Sequence, residues 1–458
     1  MGWVNFSVTN LFAKPMHYHA VVPTTTQDPK RELLDVWTEL NEQQRLDAFM
    51  RLPRELADDF FLELGTRDQY ELLGVLAPGE RRIWLRLLPP DDAADLIQLA
   101  PEEDRPALLD DLDPVAQREV KALLAYKEDA AGGLMSPRFA RLRPDIKIDE
   151  AISYLRRQAG QVETIYYAYV LDDTQRLLGV VSFRDLFSAD PSKLVREVMR
   201  TKFVSATEDM DQEAVAKLVS QFHLLAIPVL DAEGRMKGLV TIDDIVHVVQ
   251  EEASEDIQKV GGVEALDAPY LEIGFWQMVK KRAGWLTILF VGEMLTATAM
   301  GYFEKEIARA VVLALFVPLI ISSGGNSGSQ ATTLVIRALA IGEIKLRDWW
   351  RIVGRELPTG FVLGSVLAII GLMRILLWQA VWHTYGPHYV VVALTVAFSL
   401  IGVVLFGTLA GSMLPFVLKR VGFDPASASA PFVATLVDVT GLVIYFTIAS
   451  IILRGTLL

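Results

Sequence analysis

Between residues 284 and 453 lie five apolar segments, at 284–303, 310–339, 353–378, 389–418 and 429–453. Each has about the 20 residues a helix needs to cross a hydrocarbon core of ~30 Å. Lipid offers the backbone no hydrogen-bond partners, so such segments are held to helices. Residues 280–458 are therefore expected to form an all-α membrane domain of five helices. The second and fourth segments exceed what a span requires, so tilted or protruding ends are expected.

Loop charges orient this bundle, because loops rich in Lys and Arg stay cytoplasmic. Lys280, Lys281 and Arg282 precede the first segment, and Lys419 and Arg420 end the fourth. Arg337, Lys345, Arg347, Arg351 and Arg355 lie between the second and third. The opposite loops hold only Lys305 and Arg309, with none in 382–389. The part before residue 280 is thus expected in the cytoplasm, with the C-terminus outside a cell (inner) membrane. That part carries 30 basic and 49 acidic residues, against 14 and 8 from Lys280 onward. A surface so acidic repels phosphates, so nucleic acid is not an expected partner. The lack of cysteine removes disulfides and thiolate metal sites. No basic stretch followed by an apolar run opens the sequence, so no signal peptide is expected, and residues 1–25 read as irregular.

Polar residues within the apolar segments narrow the chemistry. SSGGNSGSQ, Ser322 to Gln330, interrupts the second segment. Gly324 and Gly328 are spaced for close helix packing, which accounts for the glycines alone. Asn326 and Gln330 share a helix face with Ser322 and Ser329 nearby, and they need partners or a wet cavity. Asp438 stands near the middle of the last segment, with no cationic residue in its helix. It reads either as a protonated or hydrogen-bonded buried acid, or as part of an ion path, the commoner meaning of an intramembrane acid. Glu293 is mid-span in the first segment, while Arg374 is near enough to an end to snorkel. A neutral oxygen-rich lining beside a carboxylate suits a hard cation that keeps its water, and Mg²⁺ fits that description. Ca²⁺ takes about 6–8 oxygens, more than these spans supply. The spans contain no histidine, so zinc and copper are not expected.

The cytoplasmic part contains an internal repeat. YVLDDTQRLLGVVSFRDLF (Tyr169–Phe187) aligns with PVLDAEGRMKGLVTIDDIV (Pro228–Val246) at an offset of 59 residues. Each unit reads strand, turn, strand, then a Ser/Thr-x-x-Asp helix cap, so two packed α/β modules are expected. The pattern resembles a pair of cystathionine-β-synthase (CBS) domains. In that family the Ser/Thr and Asp contact the ribose and phosphates of an adenine nucleotide. The matching residues are Ser182 with Asp185 and Thr241 with Asp244, and the resemblance implies an adenine nucleotide such as ATP as the ligand. The same residues cap helices in nucleotide-free modules, so both readings stand.

Residues 26–128 are dense in leucine and charge at helical spacing, broken at Pro53, Pro89, Pro101 and Pro114. They predict a stacked, acidic helical domain. Asp91 and Asp95 are i, i+4, where like charges repel unless a cation lies between them; a solvated acidic face is the commoner outcome. After the repeat, 244–262 reads as a long acidic amphipathic helix ending at a glycine pair.

With these pieces in order, the chain after residue 25 resembles the MgtE family of bacterial magnesium channels. The matching stretches are EDAAGGLMSP (Glu128–Pro137), ETIYYAYV (Glu163–Val170), the CBS repeat, SEDIQKVGG, SSGGNSGSQATTLVIRALA (Ser322–Ala340) and DPASASAPFVATLVDVTGL (Asp424–Leu442). The resemblance implies a helical N domain at 26–128 and CBS domains at 129–200 and 201–246. It further implies a plug helix with linker at 247–279 and the five-helix pore at 280–458, assembled as a homodimer. Asp438 from each subunit would hold hydrated Mg²⁺ through water, with the carbonyl of Ala434 one turn earlier facing the ion. Gly325, Asn326 and Gln330 would line the pore. Cytoplasmic Mg²⁺ would be sensed by Asp59, Asp91 and Asp95 with Glu213, Asp244, Glu252, Glu255 and Asp256. Two departures stand out. His223 and His247 replace acids found in better-known members, and Ala430 stands where some carry Asn near the cytoplasmic pore mouth.

The expected function is a Mg²⁺-selective channel closed by cytoplasmic Mg²⁺, and not an enzyme. The alternative is a proton-coupled Mg²⁺/Co²⁺ secondary transporter with Glu293 as relay. A membrane-anchored nucleotide sensor, with Asp438 merely structural, is a third reading.

Overall fold

The structure, a computed structural model, describes residues 29–266, 268–271 and 273–457. The irregular segment expected at 1–25 lies outside them. The chain divides into two units between Val248 and Val249.

The first unit opens with short helices whose starts follow the prolines. Arg54–Glu63 follows Pro53, α1 (Pro90–Leu99) follows Pro89, and Pro114–Leu123 begins on its own proline. Proline suits a first turn, because the amide it lacks would have no helical partner there. Asp113 caps the last of these, accepting from the amides of Val115 and Ala116 at 2.9 and 3.1 Å. The apolar faces close over Phe49, Phe60, Phe61, Trp84 and Leu85, with the Phe49 and Trp84 rings 4.7 Å apart.

Then comes α2 (Ala131–Leu134), followed by a sheet of β1 (Arg141–Leu142), β2 (Tyr167–Leu171) and β3 (Leu177–Ser182), and α3 (Phe183–Ser188). The pattern recurs as β4 (Ala206–Thr207), α4 (Gln212–Phe222), β5 (Ala226–Leu230), β6 (Met236–Thr241) and α5 (Ile242–Val260). Both sheets pair first with second strand in parallel and second with third antiparallel. Val170 faces Gly179 as Val229 faces Gly238, so the sequence repeat is a structural one. Although α2 precedes β1, its flanks pair with the second module, Ala130 with Asp211 and Ser136 with Leu239. The repeat glycines admit such crossings. A Cβ on Gly238 would lie 2.6 Å from the Ser136 carbonyl, and one on Gly179 3.0 Å from that of Arg200.

Among the described residues the second unit holds five helices long and apolar enough to span a bilayer. They are α6 (Phe275–Tyr302), α7 (Val317–Ala340), α8 (Trp349–Trp382), α9 (Tyr389–Val421) and α10 (Ala430–Ile452). The fold class is as expected: a helical domain, a CBS-like α/β pair and a five-helix bundle. Three of them, α6, α8 and α9, run longer than their apolar segments. No breaker separates Gly274 from Tyr302, so α6 starts nine residues before residue 284 and takes Lys280, Lys281 and Arg282 into its first turns. Pro318 and Pro431 sit in the first turns of α7 and α10, and Ser429 caps α10 by accepting from the Phe432 amide.

Where α7 crosses α9 there is no room for side chains. A Cβ on Gly407 or Gly411 would collide with the carbonyls of Gly324 or Gly328. Hydroxyls fasten this crossing: Ser327 and Thr408 are 2.7 Å apart, and Thr332 Oγ1 donates to the Gly411 carbonyl at 2.8 Å. At the far end Arg374 donates to Tyr385 Oη at 2.8 Å and lies over the Trp378 ring, a structural use of that charge.

Candidate functional site

Helix α7 has two faces. Gly324, Ser327 and Gly328 are buried against α9, while Ser322 and Asn326 turn outward. The outward face lines a cavity of about 440 Å³ between α6, α7 and α10. Glu293 and Thr296 come from α6, Ser322, Gly325, Asn326 and Ser329 from α7, and Ala434 and Asp438 from α10. Apolar walls come from Met300, Val317, Pro318, Ile321 and Leu442. Six waters at roughly 30 Å³ each occupy about 180 Å³, so a hydrated divalent cation fits the space. No Lys or Arg lines it. Gln330, expected beside Asn326, is exposed one turn further and does not line this cavity. Gly325 is where α7 meets α10: a Cβ would sit 3.6 Å from Ala434.

At the start of α10 the bundle is tied to α5. Lys259 donates to Asp424 at 2.7 Å and also pairs with Glu255, one helical turn earlier. Burial lowers the ammonium's affinity for its proton, but both carboxylates outweigh this and hold it above the ordinary lysine range. Gly262, at φ +74°, puts its backbone against Trp285 and Pro431, and Trp285 Nε1 donates to Ser429 Oγ at 3.0 Å. Thus one expected sensing acid, Glu255, is engaged with a lysine, and Asp424 enters as a residue the sequence reading did not single out. Glu252 and Asp256 lie on the same helix.

The remaining sensing candidates fall in the first unit, where they scatter less than expected in one place and more in another. Asp91 is 7 % exposed and its Oδ1 has no hydrogen-bond partner. Burial first, then the charges of Glu163, Asp244 and Asp92, push its carboxyl well above the usual range. Burial likewise raises Asp244, against hydrogen bonds from Thr241 that lower it. Asp92 is pushed up to about 6 by desolvation and by Asp244 and Asp243, with His247 acting the other way. Glu163 is raised by burial, although Ser136 Oγ donates to it at 3.0 Å. Asp91 and Asp244 thus belong to one acidic group together with Asp92 and with Glu163, which sequence reasoning missed. Asp95 is half-buried one turn along α1, and Asp59 is exposed on Arg54–Glu63. Glu213 pairs with Lys217 at 2.8 Å. His223 caps α4 at φ +51° and is exposed.

An orphaned buried carboxylate oxygen among like charges is what a cation would relieve. Among the described residues no three His, Asp or Glu side chains converge as a ready ligand set. A hard ion at Asp91 would therefore be held partly through water, as Mg²⁺ prefers.

The turns singled out for nucleotide binding perform helix capping. Ser182 accepts from the Asp185 amide at 3.1 Å, and Asp185 pairs with Arg200 at 3.1 Å. Thr241 Oγ1 donates to Asp244 at 2.6 Å.

Comparison with known proteins follows the same division. A family model described as the MgtE divalent cation transporter matches residues 317–448, and the MgtE intracellular N domain matches 29–129. CBS domains match 131–192 and 195–251. The magnesium transporter MgtE of Thermus thermophilus is 41% identical over 429 residues, 93% of this chain and 93% of that one. The chain belongs to the MgtE family. A Bacillus subtilis MgtE, also named a magnesium transporter, is 30% identical over 91% of this chain and 90% of its own. A crystal structure of the cytosolic domain of the Mg²⁺ channel MgtE in complex with ATP is 41% identical, covers 48% of this chain and 90% of its own, and superposes with a TM-score of 0.46. MgtE membership bears out the resemblance read from the two membrane stretches, and it makes this a membrane transporter with its N-terminal domains in the cytoplasm.

Proposed function

We propose that the chain is a Mg²⁺-selective channel for magnesium uptake, closed from within by cytoplasmic Mg²⁺. The observation that carries the reading is the cavity, lined by no Lys or Arg and wide enough for a hydrated ion, in which Asp438, Asn326 and the serines of α7 meet at mid-membrane. Its chemistry is that of a site for a cation that keeps its water. Asp438 is the pore carboxylate, with Ala434 and Gly325 leaving space beside it. A homodimer brings Asp438 from each of two copies to one ion, and the C-terminus lies outside.

Closure follows from the acids of the first unit and of α5. Ionised and unscreened, Asp91, Asp92, Glu163 and Asp244 repel one another. Bridging cations relieve that repulsion and favour the compact arrangement, so internal Mg²⁺ shifts the population toward the shut state. Asp59, Asp95, Glu213, Glu252, Glu255 and Asp256 extend the sensing surface. ATP at the Ser182–Asp185 and Thr241–Asp244 turns tunes the same equilibrium.

A second reading, proton-coupled transport of Mg²⁺ or Co²⁺, is favoured by one contact. The carboxyls of Glu293 and Asp438 lie within hydrogen-bond reach, an arrangement that a proton relay also uses.

The test is Mg²⁺ uptake into proteoliposomes by wild type and Asp438→Ala, with internal Mg²⁺ at zero and at millimolar levels. Uptake is expected to vanish in the variant and, in wild type, to fall as internal Mg²⁺ rises. Uptake indifferent to Asp438 removes the pore assignment, and uptake indifferent to internal Mg²⁺ removes the sensor.

A further inference from the structure

The first apolar helix carries an acid for which the channel reading has no use. Glu293 is near the middle of α6, where a lone charge is costly to insert. Such a residue needs a partner, and what meets it is another acid.

The approach is built into the backbone. Gly292 lets α6 close on α10: a Cβ there would lie 2.9 Å from Thr435 Cγ2. Thr435 is one turn before Asp438, so this close approach delivers Glu293 beside the pore acid. Both carboxyls line the same cavity and come within hydrogen-bond reach of one another. Two carboxyl groups in that relation need something positive between them, either a proton or a cation. The protein supplies neither lysine nor arginine to the cavity wall.

A separate observation concerns Thr296. It follows Glu293 by three residues, so it shares that face of α6, and it lines the same cavity. Its Oγ1 is buried without a hydrogen-bond partner. The other two threonines of α6 back-bond to their own helix, Thr287 to the Ala283 carbonyl and Thr298 to that of Met294. An unpaired hydroxyl beside paired acids is a ready contact for the water shell of an ion.

We propose that Glu293 is a second ion-binding carboxylate of the pore cavity, sharing the hydrated divalent cation with Asp438 and setting the preference for divalent over monovalent ions. The proposal rests on the reading of Asp438 as the pore acid. Each copy then offers two negative charges to the ion instead of one. Divalent cations gain twice what monovalent ones gain from the added charge, so Glu293 acts on selectivity as well as on affinity. Thr296 and Asn326 hold the water shell, and Gly292 is a positioning residue.

The experiment measures uptake by the full chain in proteoliposomes as a function of external Mg²⁺, and Na⁺ flux with Mg²⁺ absent. Wild type is compared with Glu293→Gln, Glu293→Asp and Asp438→Asn, each checked for monodisperse elution before reconstitution. Glu293→Gln is expected to raise the half-saturating Mg²⁺ concentration about tenfold, the usual weight of a partner acting through water, and to let Na⁺ through. Glu293→Asp, which keeps the charge but withdraws it by a methylene, is expected to give a smaller shift in the same direction. It decides alone if the glutamine variant fails to fold. Asp438→Asn is expected to abolish flux. Wild-type saturation and selectivity in both Glu293 variants, with Asp438→Asn inactive, overturns this proposal and leaves the pore reading intact. An imposed pH gradient that drives wild type but not Glu293→Gln also overturns it, by making Glu293 a proton relay. Flux surviving Asp438→Asn removes the pore reading itself.

Discussion

Asp91 is a charge the folded chain holds at a disadvantage. Its folded-state affinity for a proton is raised by burial and by three neighbouring acids. For an acid whose pKa is raised on folding, stability is greatest when the group is protonated and falls as pH rises from the unfolded value toward the folded one. In Mg²⁺-free buffer the first unit should therefore lose stability between about pH 4 and the region of about 6 where Asp92 titrates. Asp91→Asn keeps the shape and removes the charge. It is expected to stabilise the Mg²⁺-free protein by about 1 kcal/mol, a rise of about 2–4 °C in the melting of this unit, and to blunt the rise that Mg²⁺ gives wild type. Thermal melts followed at both Mg²⁺ levels check this, and a lower Mg²⁺-free melting point for the variant would contradict it. Asp91 could be picked from sequence because its partner Asp95 is local, one turn away. Glu163 could not. Glu163 stands just before β2, and only the folding of the CBS pair onto the helical domain brings it to Asp91. Glu293 was visible as a mid-span acid, but nothing local identified Asp438 as its neighbour.

At the scale of elements, the bundle depends on one crossing. Helices α7 and α9 approach until carbonyl oxygens meet glycine Cα atoms, and Thr332 and Ser327 fasten the contact with hydroxyls. Gly411→Ala forces these backbones apart and is expected to destabilise the bundle by about 1–3 kcal/mol. Thr332→Val, which keeps shape but loses the bond to Gly411, should cost only about 0.6 kcal/mol. Denaturant midpoints in detergent rank the two, and equal losses would show that the hydroxyl, not the close approach, holds the helices. Much at this scale was legible in the sequence. Gly324-x-x-x-Gly328 announced a close contact, the prolines marked helix starts, and the repeat announced two like sheets. What was not legible is which element packs on which. Helix α2 belongs by pairing to the second module although it precedes the first, because Ser136 bonds to Leu239 across the repeat glycine Gly238. The start of α6 was missed for a simpler reason. Apolarity marks where lipid is, whereas a helix ends only where its backbone bonds do, and Gly274 is that point.

For the whole molecule the proposed channel raises the question why a magnesium transporter should carry so large an acidic N-terminal part. An inside-negative potential contributes about 2.3 kcal/mol per charge per 100 mV, hence about 4.6 for a divalent ion. That difference corresponds to roughly a thousandfold accumulation at equilibrium. A channel needs no proton coupling to import Mg²⁺ on such a scale; what it needs is a means of stopping. The acids around Asp91 and along α5 can provide it only if their affinity falls in the range of internal Mg²⁺, and repulsion among them makes their affinity depend on how many are ionised. Two consequences separate this account from coupled transport. With the potential clamped at zero, uptake should stop when internal and external Mg²⁺ are equal, whatever the pH difference. With about −100 mV imposed, the double variant Asp91→Asn, Asp244→Asn should load vesicles toward the thousandfold limit, while wild type should stall far below it. Uptake that follows the pH gradient at zero potential would instead assign the Glu293–Asp438 contact to proton movement. Equal loading by wild type and the double variant would mean that closure is governed by acids other than these.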